Sequence, residues 1–317
     1  MSSSFTFDIV SFLFSVIRVM TPLLFASMAC MIFTKGGNDS IATEGIMLMC
    51  ALAGPVGAWF FGNAFLGLLF AIAVGMGLAC VFGYATLSLK ADPVLVGIAL
   101  NILAGGITIF IIYLLTGEKG STQSLGSSVL PTIDIPLLRS IPILGKILSK
   151  HNILTYMSLI TVGVLQFFLY KTTPGLRMRT VGENPKAAES VGISINKYKY
   201  LSLIIAGALA GAGGAFMSMG YVSFFTKGMV AGRGFIGMAA ESMGHGTPGG
   251  VLLATLLFSI ADALSVQLQM MNLPSELMQI VPYAVTIIAI AAYSYYRMKK
   301  EEMSQNGRSK KSKSVES

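Results

Sequence analysis

The sequence predicts an all-α, polytopic helical membrane protein of about nine spans, within a range of eight to ten. Three observations carry that prediction. The 317 residues are 54% hydrophobic and 11% charged, with a mean hydropathy of +0.74, whereas soluble domains carry roughly 25% charged residues. Uncharged runs such as Pro93–Leu115, Ile153–Tyr170, Tyr200–Thr226 and Leu277–Tyr296 reach or approach the roughly 20 residues that cross a hydrocarbon core. The basic residues cluster between these runs, and the strand alternation of a membrane barrel is absent from the sequence.

The elements follow in chain order. The first span is placed at 9–33. Met1–Val10 has no Lys or Arg, and the apolar run after it is too long for a cleaved leader. Ser27–Cys30 resembles a lipoprotein cleavage site, but no basic segment precedes it. The stretch Gly45–Leu89 contains no charge, and Gly62-Asn63 is its best turn, giving spans at 45–62 and 64–84. A fourth lies at 93–115 and a fifth at 153–171, with segment 116–152 between them. Four more fit at 200–224, 232–244 (shorter), 250–270 and 277–296. Residues 1–296 thus form the transmembrane domain, and 297–317 a disordered basic tail.

Charge orients the spans. Lys171–Lys199 carries six basic residues and the tail seven, so both belong on the cytoplasmic side, with segment 116–152 outside. The N-terminus is then external. Two apolar runs each frame a related motif, TEGIMLMCALAG (43–54) and GRGFIGMAAESMGHG (232–246). This topology gives the two units opposite orientations, as two weakly similar inverted halves with a midplane path between them.

Polar residues within spans are costly and so informative. Arg18 faces a water-filled path or reaches a partner in the bundle. Glu44 caps a helix start or contacts a ligand, and Asn101 bonds a neutral polar solute or locks two helices. Glu241 and His245 stand four apart as a local pair or a proton relay, and Asp262 pairs within the bundle. Gly207, Gly211 and Gly214 favour close helix packing inside one subunit over a dimer face. Cys30, Cys50 and Cys80 lie in apolar runs as small hydrophobes. His151 and His245 are too far apart in sequence to suggest a metal site. No Gly-Lys is followed by Ser or Thr, so there is no phosphate loop, and no nucleophile triad or paired-carboxylate motif points to an enzyme.

One polar segment, RTVGENPKAAESVGI (179–193), reads as a two-turn helix with Asn184 as cap, Pro185 in the first turn and Gly192 at the left-handed end. Segment 169–215 around it resembles the cytoplasmic loop and following span of ABC importer permeases of the branched-chain amino acid, ribose and nucleoside family. PLLFASMA (22–29), TEGIMLMCALAG (43–54), VGIALNILA (96–104), IPILGKIL (141–148), AGRGFIGMAA (231–240) and LLFSIADAL (256–264) extend the resemblance over most of the chain. It is closest to the nucleoside and simple-sugar branch. GGNDSIATEG (36–45) and ESMGHGTPGG (241–250) depart from the family pattern near the presumed path.

The resemblance implies a permease in a bacterial plasma membrane, with its C-terminus in the cytoplasm. ATP is used by a separate ATPase subunit and no cofactor is bound by this chain. The other partners implied are a second, related permease, an extracytoplasmic solute-binding protein and membrane lipid, with no nucleic acid. Loop 172–199 would couple to the ATPase through Gly182, Glu183, Asn184, Pro185, Lys186, Ala187, Ala188, Glu189 and Gly192. In that loop Lys186–Glu189 form a small rigid knob; a lipid-parked surface helix is the alternative. The substrate path is expected at Glu44, Gly45, Asn101, Gly232, Arg233, Gly234 and Phe235. The solute is expected to be a nucleoside or simple sugar, with ribose or a branched-chain amino acid as alternatives within the family. A secondary transporter without an ATPase, and a scaffold acting through its tail, are the rivals from other classes.

Overall fold

A computed structural model describes residues 9–118, 120–126, 129–134 and 149–269. The chain forms two compact units, Met1–Ala263 and Leu264–Ser317, and the first contains all the described helices except the last six residues of the final one. The expected span at 277–296, the tail and IPILGKIL (141–148) lie outside the described residues.

Helices α1 (Ile9–Lys35), α2 (Thr43–Phe61), α3 (Ala64–Gly83) and α4 (Pro93–Thr116) come first, followed by α5 (Ile153–Lys171). Their ends follow local chemistry. Gly62 closes α2 at φ 65°, and the Asn63 side chain accepts from Phe65 N to start α3. Asp92 accepts from Val94 N and Leu95 N ahead of Pro93 in the first turn of α4, and Gly117 ends it at φ 72°. Asn152 caps α5 through Leu154 N. Two short helices, α6 (Thr173–Glu183) and α7 (Pro185–Ser190), precede α8 (Ile195–Phe216), α9 (Arg233–Met243) and α10 (Pro248–Gln269). Helices α3 and α8 continue as π-helical turns at Tyr84–Ser88 and Met217–Tyr221.

Seven of these are long and apolar enough to cross a membrane, and α9 is not among them. At 11 residues it spans about 16 Å, half of a bilayer core. The expected short span at 232–244 is therefore a half-helix, preceded by the non-helical chain 222–232. Irregular backbone inside a membrane protein needs protein partners, and this stretch has them. Thr122 N donates to Phe225 O, Phe225 N to Thr122 Oγ1 and Lys227 N to Gly120 O. Residues 120–122 thus clasp the loop from one end of the bundle. There the two-residue strands β1 (Thr132–Ile133) and β2 (His151–Asn152) pair antiparallel.

The core runs along α1 and α8, which are antiparallel: Gly36 lies against Ser202 and Gly213 against Phe25. Helix α8 packs backbone to backbone. A Cβ on Gly207 would strike Gly75 O, and one on Gly214 would strike Met47 O. The small-residue stripe is thus spent on α3 and α2 within one subunit. Helix α4 buries one ridge, Gly97, Leu100, Ala104, Thr108 and Ile112, and exposes apolar residues elsewhere, including Ile102 and Leu114, as a face met by lipid or protein does.

Candidate functional site

Two helices begin at one point inside the bundle. Helix α2 leaves that point toward the N-terminal end of α1, while α9 crosses α1, with Gly237 against Ala26 and Ser27 and the turn after it, at Gly246, beside the tip of the Lys35 side chain. Cys30 Sγ touches both starts, 3.5 Å from Thr43 Oγ1 and 3.8 Å from Gly234 O. With 1.5 Å rise per residue, the junction lies roughly a fifth of the way along the 27-residue α1 from its Lys35 end.

Glu44 joins the two starts. It lies in the first turn of α2, yet its carboxylate accepts from Gly232 N at 2.8 Å and Gly234 N at 2.7 Å, at the N-terminus of α9. The carboxylate therefore caps the other helix, satisfying two orphan donors and opposing the positive end of its dipole. Asn101 performs the matching task for α2. Its Oδ1 accepts from Gly45 N at 2.7 Å, and its Nδ2 donates to Ile41 O at 2.9 Å. Of the two uses the sequence left open for each residue, the structure displays capping for Glu44 and helix locking for Asn101.

The glycines make this approach possible. A Cβ on Gly234 would lie 2.6 Å from Glu44 N, and one on Gly45 would lie 2.7 Å from Asn101 Oδ1. Gly232 adopts φ 80°, open to glycine without steric cost. Arg233 makes its hydrogen bonds to groups other than Glu44. One guanidinium nitrogen donates to Val230 O at 3.2 Å and the other meets Asp262 Oδ2 at 3.4 Å. Asp262 thus pairs within the bundle as expected, and its partner is Arg233. Phe235 is 49% exposed, the one member of the expected path set that offers a large side chain to the exterior of this subunit. Arg18 donates to Tyr221 O and lies over the Tyr221 ring at 4.6 Å. It lines a cavity of about 180 Å³ with Phe14, Lys150, His151, Asn152 and Thr155.

The second constellation is the 172–199 loop. Thr172 Oγ1 caps α6 through Gly175 N, and Asn184 Oδ1 caps α7 through Ala187 N at 3.1 Å. Pro185 occupies the first turn, and Gly192 closes the segment at φ 78°, its N donating to Glu189 O. Within this knob the side chains divide sharply. Ala188 is fully buried and supports α7 from beneath, and Gly182 faces inward against Lys35 O. Glu183, Asn184, Lys186, Ala187, Glu189 and Gly192 face outward, and Pro185 is half-buried. Sequence reasoning passed over Val191 (70% exposed) and Leu176 (47% exposed), apolar side chains on this otherwise polar surface. A hydrophobe directly before the terminating glycine is the signal that marks Val191.

Residues 12–290 match the family described as branched-chain amino acid transport system, permease component. A nucleoside ABC transporter permease of Lactococcus lactis is 33% identical over 286 residues, covering 86% of this chain and 89% of that protein. A guanosine ABC transporter permease of Bacillus subtilis is 33% identical over 86% of this chain and 88% of its own length. A glucose ABC transporter permease of Haloferax volcanii is 26% identical over 87% of this chain and 75% of its own.

Proposed function

Because the chain belongs to the family of branched-chain amino acid transport permease components, we propose that it forms half of the solute path of an ATP-driven importer of nucleosides. It is a multi-pass membrane subunit of a transporter rather than an enzyme. A separate ATPase docks on the outward face of α7, a second related permease completes the path, and an extracytoplasmic binding protein delivers the solute. The loop 172–199 and the C-terminus are cytoplasmic in this reading, supported by the basic clusters at both.

One observation carries the choice of a neutral solute. Charges at the junction are consumed internally: Glu44 by two backbone N–H groups and Arg233 by Asp262. Such a site offers hydrogen bonds and the Phe235 ring, and no uncompensated charge to attract an ion. A nucleoside, with an aromatic base to stack and hydroxyls to bond, suits it. The nucleoside and guanosine permeases among the relatives support the same choice, while the glucose permease keeps simple sugars as the second reading.

The test is uptake of labelled guanosine into cells carrying the complete transporter, competed with unlabelled nucleosides, ribose, glucose and leucine. Nucleosides are expected to compete at the lowest concentrations. Competition by leucine alone would overturn the solute reading. Uptake driven by an ion gradient without the ATPase would overturn the mechanism.

A further inference from the structure

Helix α1 ends in a corner, residues 35–38, that touches three other parts of the bundle. On one side lies the end of α6. A Cβ on Gly182 would strike Lys35 O and lie 3.0 Å from Gly37 N, and a Cβ on Gly37 would lie 3.1 Å from Gly182 Cα. On a second side lies α8: Asn38 Nδ2 donates to Ser202 Oγ at 2.8 Å and to Lys199 O at 3.2 Å. On the third lies the turn after α9. Lys35 Nζ and Glu241 Oε1 lie 3.0 and 3.3 Å from the position a Cβ on Gly246 would take. The chain then runs from Asn38 through Ile41, held by Asn101, to Glu44 and the junction.

We infer that this corner transmits the movement of α6 and α7 to the α2–α9 junction, and that Lys35, Gly37 and Asn38 are positioning residues for transport. The inference rests on the reading that α7 docks an ATPase. Its physical basis is the Gly37–Gly182 contact, where backbone meets backbone. A contact through long side chains absorbs a small displacement by changing rotamer, whereas close-packed backbone passes it on. Asn38 ties the same corner to α8, and the Lys35 side chain packs against the turn after α9. A shift of α6 therefore reaches both walls of the junction, and neither Lys35 nor Asn38 needs to touch the ATPase.

The experiment uses the complete transporter in proteoliposomes, with ATP hydrolysis and guanosine uptake measured on the same vesicles. Asn38→Ala and Lys35→Met are expected to leave the ATPase bound and hydrolysing, while solute moved per ATP falls about fivefold or more. Lys35→Arg, which keeps the charge, is expected to restore most of that ratio. Ser202→Ala is the milder form, deleting one hydroxyl at the same contact, and is expected to lower the ratio about twofold, a readout that survives if the larger substitutions fail to insert. A wild-type ratio in Asn38→Ala, Lys35→Met and Ser202→Ala would overturn the inference. Val191→Glu separates this from the docking reading. If it leaves the ATPase bound and uptake coupled, docking through α7 fails. If it releases the ATPase while the corner variants stay at the wild-type ratio, the corner inference fails alone.

Discussion

Replacing Glu44 isolates the contact that joins the starts of α2 and α9. In Glu44→Ala, Gly232 N and Gly234 N lose acceptors at 2.8 and 2.7 Å. A hydrogen bond to a charged group contributes about 1.5–3 kcal/mol, and an anion at a helix N-terminus adds about 0.3–1 kcal/mol. Glu44 is half-buried, which places each bond near the lower figure, so the loss is about 3–4 kcal/mol. Glu44→Gln keeps one carbonyl oxygen for one of the two donors and presents an NH2 group to the other, so about 2 kcal/mol is lost. Glu44→Asp withdraws the carboxylate by one methylene and falls between them. The assay is unfolding of the purified full-length permease in mixed micelles by titration with a denaturing detergent, read by circular dichroism. The expected order of stability is wild type, Gln, Asp, then Ala. A Glu44→Ala protein within 1 kcal/mol of wild type that nonetheless loses uptake would refute the capping argument and make Glu44 a solute contact.

Asp262→Asn leaves Arg233 without its charge partner in a site where the two side chains are 18% and 22% exposed; a loss of about 1–3 kcal/mol is expected in the same unfolding assay. The apolar double replacement Arg233→Met with Asp262→Leu should recover at least half of it. Gly234→Ala sets a methyl against Glu44 backbone at 2.6 Å and should cost about 1–3 kcal/mol or more. Gly105→Ala, with open space around its Cβ, should be neutral or stabilising by up to about 1 kcal/mol. Ala188→Glu forces a charge under α7 and should expose residues 173–193 to limited proteolysis. Lys186→Glu alters only the outer face, so it should weaken ATPase association, measured by co-purification, with the protease pattern unchanged.

The long helices were legible because an uncharged run of given length has one use in a bilayer. The observed 9–35, 43–61 and 153–171 lie within two residues of the expected spans. Helix α8 starts five residues before the expected 200, because Lys197 and Lys199 sit in its first turns and a hydropathy reading stops at charge. The capped helix at 185–190 was legible through Asn184, Pro185 and Gly192, each with a local backbone preference. The half-helix α9 was visible only as a short run, since nothing local in 222–232 announces that its hydrogen bonds go to residues 120–122. The glycines at the junction were picked out as path residues, and their closeness to Glu44 backbone is a long-range fact that no local pattern encodes. Burial of Ala188 and exposure of Val191 were hidden for the same reason: on a six-residue helix, the neighbouring α6 and α8 decide which face is covered.

The glycine seam between α3 and α8 has a consequence for how the protein is made. Gly75 and Ala71 of α3 meet Gly207 and Gly211 of α8, but α8 emerges from the ribosome about 130 residues later. At about 5–20 residues per second, α3 sits in the membrane for some 6–26 s with that seam bare. Lipid tails fit poorly against a groove without side chains, so the seam is a vacancy waiting for one shape. The same smoothness that lets α8 seat closely at the end of synthesis also leaves α3 open to any other small-faced helix inserted nearby in the interval. Accurate assembly of this permease therefore depends on timing as well as on packing.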